Sequence, residues 1–352
     1  MEEGRGVKMN KLLKIISGLI VFLLVFCFIV YSQNISSERA QTTWQDTAVT
    51  AADSSAPTKK YTIGWSVYNS SYEFFRSMQE GVLERAAELG INVITHNQNS
   101  STVEMITGVT SLINQGIDVL MISPFNPDAM PVISDMAKKA GIPVVVVDIG
   151  TGGADVDAFI ITDSFAGGSL AGEYALELIR KHSITSKNAA IIKVEETAVH
   201  ARRRGEGFKD ILTQSGYNIV AEITANSDQY QGYEAMKEIL STYADDLAVV
   251  FAENDRMALG AAQAIDEAGK KGQIMVIGFD GDPAAIDAIK NGLMQGTIAQ
   301  QPFEMGALGV NVANSLLKGE RVIYDDVEKK ELFVEIYLID ETGMPRRYTD
   351  NN

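Results

Sequence analysis

The chain has little of what most catalytic and metal sites are built from: one cysteine, three histidines and two tryptophans in 352 residues. The single Cys27 lies inside an apolar run, so the remainder of the chain has neither a disulfide nor a thiol nucleophile. His96, His182 and His200 show no metal-ligand spacing, and no metal is expected. Positive charge is also scarce. Thirty Lys and Arg against 46 Asp and Glu leave a formal charge of −16, which argues against a nucleic-acid partner, because phosphate binding needs clustered cations. No P-loop pattern is present. Gly167-Gly168-Ser169-Leu170-Ala171 lacks the immediately preceding strand that a nucleophile elbow needs, and its small residues are expected to let helices pack closely. No cofactor and no catalytic constellation are expected.

What the chain does have begins with an apolar run from Ile15 to Tyr31, preceded by Arg5, Lys8, Lys11 and Lys14. Positive flanking residues keep that end in the cytoplasm and send the rest across the membrane. The run is longer than the usual 7–15-residue core of a cleaved signal, and no small-x-small site follows it. Residues 1–31 are therefore read as an uncleaved anchor, in preference to a signal whose removal would release the protein. Residues 32–60, rich in Ser, Thr, Gln, Ala and Asp without apolar periodicity, read as a flexible tether.

From Tyr61 onward apolar strand-like runs alternate with helical patterns, the signature of βαβ units and parallel sheets. At this length two cores are expected. A first set of strands runs from Ile63 to Thr162 and a second from Ala190 to Ala299; the helix at about Phe303 to Leu317 is expected to return and cover the first sheet. The expected fold is α/β: two doubly wound, Rossmann-like lobes with several crossovers, preceded by one N-terminal membrane segment. The first lobe is 61–162 plus about 301–326, and the second is 163–300 plus about 327–345.

Val249-Val250-Phe251-Ala252 ends in Glu253-Asn254-Asp255, and Ile274-Met275-Val276-Ile277-Gly278-Phe279 ends in Asp280-Gly281. Polar groups at the carboxyl ends of parallel strands sit where open α/β sheets bind ligands. Asn254 and Asp280 thus point to a crevice, although Asn254 is equally an N-cap and Asp280, like Asp148, a turn cap.

Ala252 to Gly260, Ile277 to Gly281, Thr297-Ile298-Ala299-Gln300 and Arg202-Arg203-Arg204-Gly205-Glu206-Gly207-Phe208 resemble the periplasmic binding proteins of the ribose-binding cluster. The likeness is collinear from about Tyr61 to Leu338. It implies the type I architecture, with a hinge of three crossings near Thr162, Gln300 and Asp326, closing on a monosaccharide or similar polyol. Carried over by position, Asp148, Arg202, Asn254, Asp280 and Gln300 would hold sugar hydroxyls. Phe74 and Phe75 would supply a ring for the apolar sugar face, with Asn69 and Tyr72 in the loop before them. Ionised carboxylates accept from two hydroxyls at once, and a guanidinium donates to two. Adjacent helix positions face different ways, so one of Phe74 and Phe75 is expected in the core. One of the three consecutive arginines is expected in the cleft, with the other two solvated; Gln300 also falls at the hinge. Ile149 and Ser227 depart from the ribose-binding pattern, which has arginine and phenylalanine there. Another sugar, a polyol or a furanose-like molecule is therefore open.

The implied function is an extracytoplasmic sugar-binding protein on the outer face of a bacterial membrane, expected as a monomer, presenting its ligand to an ABC permease or reporting it to a sensor kinase. A sugar- or nucleoside-processing enzyme using Asp148 and Asp280 is the competing class. A transcription repressor of the same fold would need DNA-binding helices where the membrane segment stands.

Overall fold

The central strands of this chain are short and apolar on both faces, and most parallel neighbours are reached through a helix. The computed structural model describes residues 60–196 and 198–347. The expected membrane segment and nearly all of the tether lie outside the described residues, and among those described no helix is long and apolar enough to cross a membrane.

The first lobe carries β1 (Thr62–Val67), β2 (Asn92–Asn97), β3 (Val119–Ile122), β4 (Val144–Val147) and β5 (Ala158–Thr162), with helices α1 (Glu73–Glu88), α2 (Thr102–Asn114) and α3 (Met130–Lys139) between them. The chain then crosses to α4 (Ser164–Lys181), β6 (Asn188–Lys193), α5 (Val199–Gln214), β7 (Asn218–Thr224), α6 (Gln229–Tyr243), β8 (Val249–Ala252), α7 (Asp255–Glu267), β9 (Met275–Asp280), α8 (Pro283–Lys290) and β10 (Gly296–Ala299). It returns with α9 (Pro302–Lys318) and β11 (Glu331–Val334), and finishes in the second lobe with β12 (Tyr337–Asp340) and β13 (Arg346–Arg347). The sheet orders are β11-β5-β4-β3-β1-β2 and β13-β12-β10-β9-β8-β6-β7. The first sheet is wholly parallel; β12 and β13 make an antiparallel edge on the second.

Period-2 alternation divides each sheet between two cores. Val145 and Val147 of β4 face α1 and α9 with Met78, Val82, Met305 and Val310, while Val144 and Val146 face α2 and α3 with Met105, Leu112 and Ile133. In the second sheet Phe251 packs toward α4 and α5, and Val250 and Ala252 toward α6 and α7. The helix from Pro302 does cover the first sheet.

The crossings follow Thr162 and Gln300 as expected. The third does not fall near Asp326. β11 pairs in parallel with β5, Glu331 opposite Phe159 and Val334 opposite Thr162, so the chain stays in the first lobe until the short link between Val334 and Tyr337. Residues 327–334, expected in the second lobe, belong to the first. The cause is an edge strand of only four residues, too short for its alternation to declare which sheet it joins.

The small residues of Gly167-Gly168 serve packing. A Cβ on Gly168 would run into the carbonyl of Arg204, so α5 lies against α4 only because that side chain is missing. That close approach fixes where Arg204 stands.

Candidate functional site

The ends of β5 and β10 meet at the lobe boundary, where the Thr162 hydroxyl reaches Gln300. In each doubly wound sheet the fourth strand delivers an aspartate there: Asp148 after β4, and Asp280 at the end of β9. Both occupy the left-handed half of backbone space, at φ 74° and 121°. For a non-glycine residue that conformation costs energy, and such strain collects at binding positions.

Two side chains hold the Asp280 carboxylate. Arg204 Nη1 donates to its Oδ1 at 3.0 Å, and Gln300 Nε2 donates to the same oxygen at 2.7 Å. The Oε1 of Gln300 accepts from the Thr162 hydroxyl of the first lobe at 2.6 Å. Arg204 Nη1 also donates to the carbonyl of Glu253 at 2.7 Å, and its guanidinium lies 3.9 Å over the Phe279 ring. Beneath this chain sits Asp255, fully buried, accepting from the backbone N–H groups of Gly281 and Asp282 and from the Thr297 hydroxyl. Asp255 thereby fixes the turn that aims Asp280.

Asp148 faces this group from the other lobe. It is 5% exposed, and no described residue donates a hydrogen bond to its carboxylate. Burial pushes it up to about 7; Arg204 opposes that rise and Asp280 adds to it. Asp280 is also raised, chiefly by burial and against the pull of Arg204. Burial, then Asp280, lifts Asp282 to about 6. These shifts fix a sign. A carboxyl raised in the native state contributes stability that is present below its unfolded value and lost as pH rises through the native value. The Asp148 contribution is therefore expected to fall away between about pH 4 and pH 7. The unfolding midpoint of the ligand-free protein, followed across that window, should decline less steeply in Asp148→Asn than in the wild type. Identical slopes would place Asp148 outside the buried cleft.

Of the remaining expected positions, Asn254 does cap α7, its Oδ1 accepting from Met257 N at 3.0 Å, and is 7% exposed. Phe75 is the core member of its pair, 8% exposed and stacked on Tyr68 at 4.7 Å; Phe74 is half-buried with its edge to Phe75 at 5.2 Å. Tyr72 stands exposed at the start of α1, 6.3 Å from the Tyr68 ring. Asn69 is engaged within its own loop, donating to Ser100 Oγ and accepting from the backbone and hydroxyl of Ser71.

The arginine triplet differs from expectation. Arg204, not Arg202, reaches Asp280. Arg203 forks onto Glu331 of the first lobe with two contacts of 3.3 Å. Arg202 is the most exposed, 3.9 Å from Glu196, although its Nε is buried and without an acceptor. The physical reason is helical spacing: Ala201, Arg204, Gly205 and Phe208 form the buried stripe of α5, and Arg202 lies beside it. That stripe was readable in the sequence. So was Tyr68, which ends β1 as Asp148 follows β4; burial first, and then Tyr72, Glu195 and Asp148, push its phenol up. Glu195 belongs to the opposite lobe, so Tyr68 is also at the boundary.

The Arg203–Glu331 pair bridges the lobes, with Glu331 3% exposed. Glu331→Gln is expected to weaken closure, lowering ligand affinity roughly two- to fivefold and enlarging the ligand-free particle in small-angle scattering. An unchanged scattering profile would mean that the pair does not restrain the hinge.

A family model described as a periplasmic binding protein domain matches residues 63–321. The ribose import binding protein RbsB of Salmonella typhimurium is 35% identical over 275 residues, 78% of this chain and 91% of that protein. A xylitol-binding protein of Mycolicibacterium smegmatis is 29% identical over 282 residues, 80% of this chain and 79% of that one. Among solved structures, an ABC transporter solute-binding protein of Bacillus halodurans with bound myo-inositol superposes with a TM-score of 0.69 at 28% identity, covering 82% of this chain and 96% of its own. These relatives are binding proteins rather than enzymes. With two doubly wound lobes, a three-crossing hinge and matches of this extent, the chain belongs to the periplasmic binding protein family, in its type I form.

Proposed function

We propose that the chain is an extracytoplasmic binding protein that closes on a monosaccharide or polyol, and that its closed form docks on the permease of an ABC transporter. The observation carrying this reading is the pair of strand-end carboxylates, Asp148 buried and Asp280 partly so, one from each lobe, around Arg204. Neither lobe alone offers both acceptors, so a ligand rich in hydroxyl donors favours the closed form. Asn254 adds an amide and Arg202 an unpaired Nε. The Tyr68–Phe75 stack, with Phe74 and Tyr72 around it, presents rings to the apolar face of a sugar. The named ligands of the relatives, ribose, xylitol and myo-inositol, support the same class.

The apolar run from Ile15 to Tyr31 favours one second reading of the partner: an anchored protein that reports its ligand to a sensor kinase. Permease or kinase recovered by cross-linking to the ligand-bound protein in membranes would decide between them.

The test of the ligand class is a thermal-shift panel of pentoses, hexoses and polyols on residues 59–352. A ligand at a hundred times its Kd adds about 2.7 kcal/mol, a rise of several degrees. One sugar or polyol should stabilise the wild type and leave Asp280→Asn unmoved. A panel with no stabilising member would sink the sugar reading.

A further inference from the structure

A crevice of about 530 Å³ opens between the lobes beside the paired aspartates. Its floor is apolar, made by Val156, Phe159 and Ile161, which are 5%, 7% and 2% exposed, and by Ile149. Its far wall belongs to the second lobe, where His200 and Arg203 of α5 line it and Arg203 pairs with Glu331. The charged groups Asp155, Lys329 and Lys330 sit at its mouth with their side chains largely in solvent. Burial, with Arg204 and Arg203 nearby, drives His200 down to about 3, so the wall presents a neutral imidazole. The inner end adjoins the cleft, because Ile149 follows Asp148 directly and His200 stands one helical turn before Arg204, whose charge it feels.

A monosaccharide whose apolar face lies on the Tyr68 and Phe75 rings has nothing left to place on such a floor. The volume is that of a small-molecule pocket, and the lining sets an apolar floor within a charged rim. We propose that this crevice accepts the aglycone of a glycoside, an aromatic or apolar group attached to the sugar that Asp148 and Asp280 hold. The inference rests on the sugar reading of the cleft and extends it to the ligand's second half. Burying the aglycone against Phe159, Ile161 and Val156 supplies affinity through apolar contact, and the polar rim orients its edge.

The experiment is titration calorimetry with D-ribose, D-allose and L-arabinose and with the methyl and phenyl glycosides of each. The phenyl glycoside of the preferred sugar is expected to bind roughly tenfold or more tightly than its methyl counterpart. Ala154→Trp, which fills the crevice, should remove that preference and leave the free sugar's affinity within about twofold. Free-sugar binding serves as the control for folding; Thr151→Trp, nearer the edge, replaces Ala154→Trp should the latter fail it. A phenyl glycoside that binds no better than the methyl form overturns the proposal and leaves the sugar reading standing. Silence from every sugar and glycoside overturns the proposal, and the polyols of the thermal-shift panel then decide the reading of the cleft.

Discussion

Arg204→Met lowers the unfolding midpoint by roughly 6–12 °C and abolishes ligand binding. Arg204 is 4% exposed and serves two partners at once, the Asp280 carboxylate and the Glu253 carbonyl. Removing one member of a buried ion pair leaves the other charge uncompensated, at a cost of about 3–5 kcal/mol. Here the cost stays near the lower bound, because Asp280 is already raised by burial and can take up a proton, and because Arg204 Nε has no acceptor to lose. About 3 kcal/mol in a domain of this size corresponds to that drop in midpoint. Methionine fills much of the same space, so the loss is electrostatic. Arg204→Lys keeps the charge and one nitrogen for both acceptors, as Nη1 serves them here, but loses the planar guanidinium over the Phe279 ring, and should fall between the two. Differential scanning calorimetry and ligand titration on the three proteins provide the check. A methionine variant as stable as the wild type would mean that the pair is neutral to folding, and retained binding would remove Arg204 from the site.

Asp255→Ala is the second large effect. This carboxylate touches no ligand position; it accepts from Gly281 N at 2.8 Å, Asp282 N at 2.8 Å and Thr297 Oγ1 at 2.7 Å. Each donor left buried without an acceptor costs about 1–3 kcal/mol. Part of that loss is offset, since burying Asp255 is itself unfavourable and pushes its pKa well above the carboxylate range. A net loss of about 2–4 kcal/mol is expected. The same change frees the turn that keeps Asp280 at φ 121°, so affinity should fall by roughly an order of magnitude even where the protein is fully folded. Asp255→Asn can keep its carbonyl oxygen on the Gly281 and Asp282 N–H groups, which share Oδ2, and turn its amide N–H toward the Thr297 hydroxyl as acceptor, so it should recover much of the loss. An alanine variant that binds normally at low temperature would show that Thr297 and the strand alone hold the turn.

Much of this architecture was legible in the sequence because parallel strands buried on both faces announce themselves as continuous apolar runs. Val144 to Val147 and Met275 to Phe279 are such runs, and Asp148 and Asp280 follow from them by position. What escaped was carried by geometry of another kind. β11 is four residues long and its partner strand lies some 170 positions earlier; only tertiary pairing decides its lobe. In the arginine triplet the buried stripe of α5 was legible, but that Arg204 stands against Asp280 depends on the packing of Gly168 under α5. The roles of Thr162 and Gln300 are joined across 138 residues by one hydrogen bond, a distance at which no local pattern speaks. Asp255 looked like the first residue of a helix and is that too, its second task being visible only once β9 and β10 are laid beside it.

The two strand-end aspartates also determine how the empty protein behaves. Drawing the lobes together without a ligand buries Asp148 with no donor and brings it toward Asp280, and both effects oppose its ionised form at neutral pH. On the proposed function the acids therefore set a vacant cleft against the pull of the Arg203–Glu331 pair, and a filled one is expected to stay shut because hydroxyl donors satisfy both acids. Any downstream receptor that reads the shut shape receives few false reports: its background is set by the reluctance of two carboxylates to share a dry space, and its signal by the molecule that reconciles them.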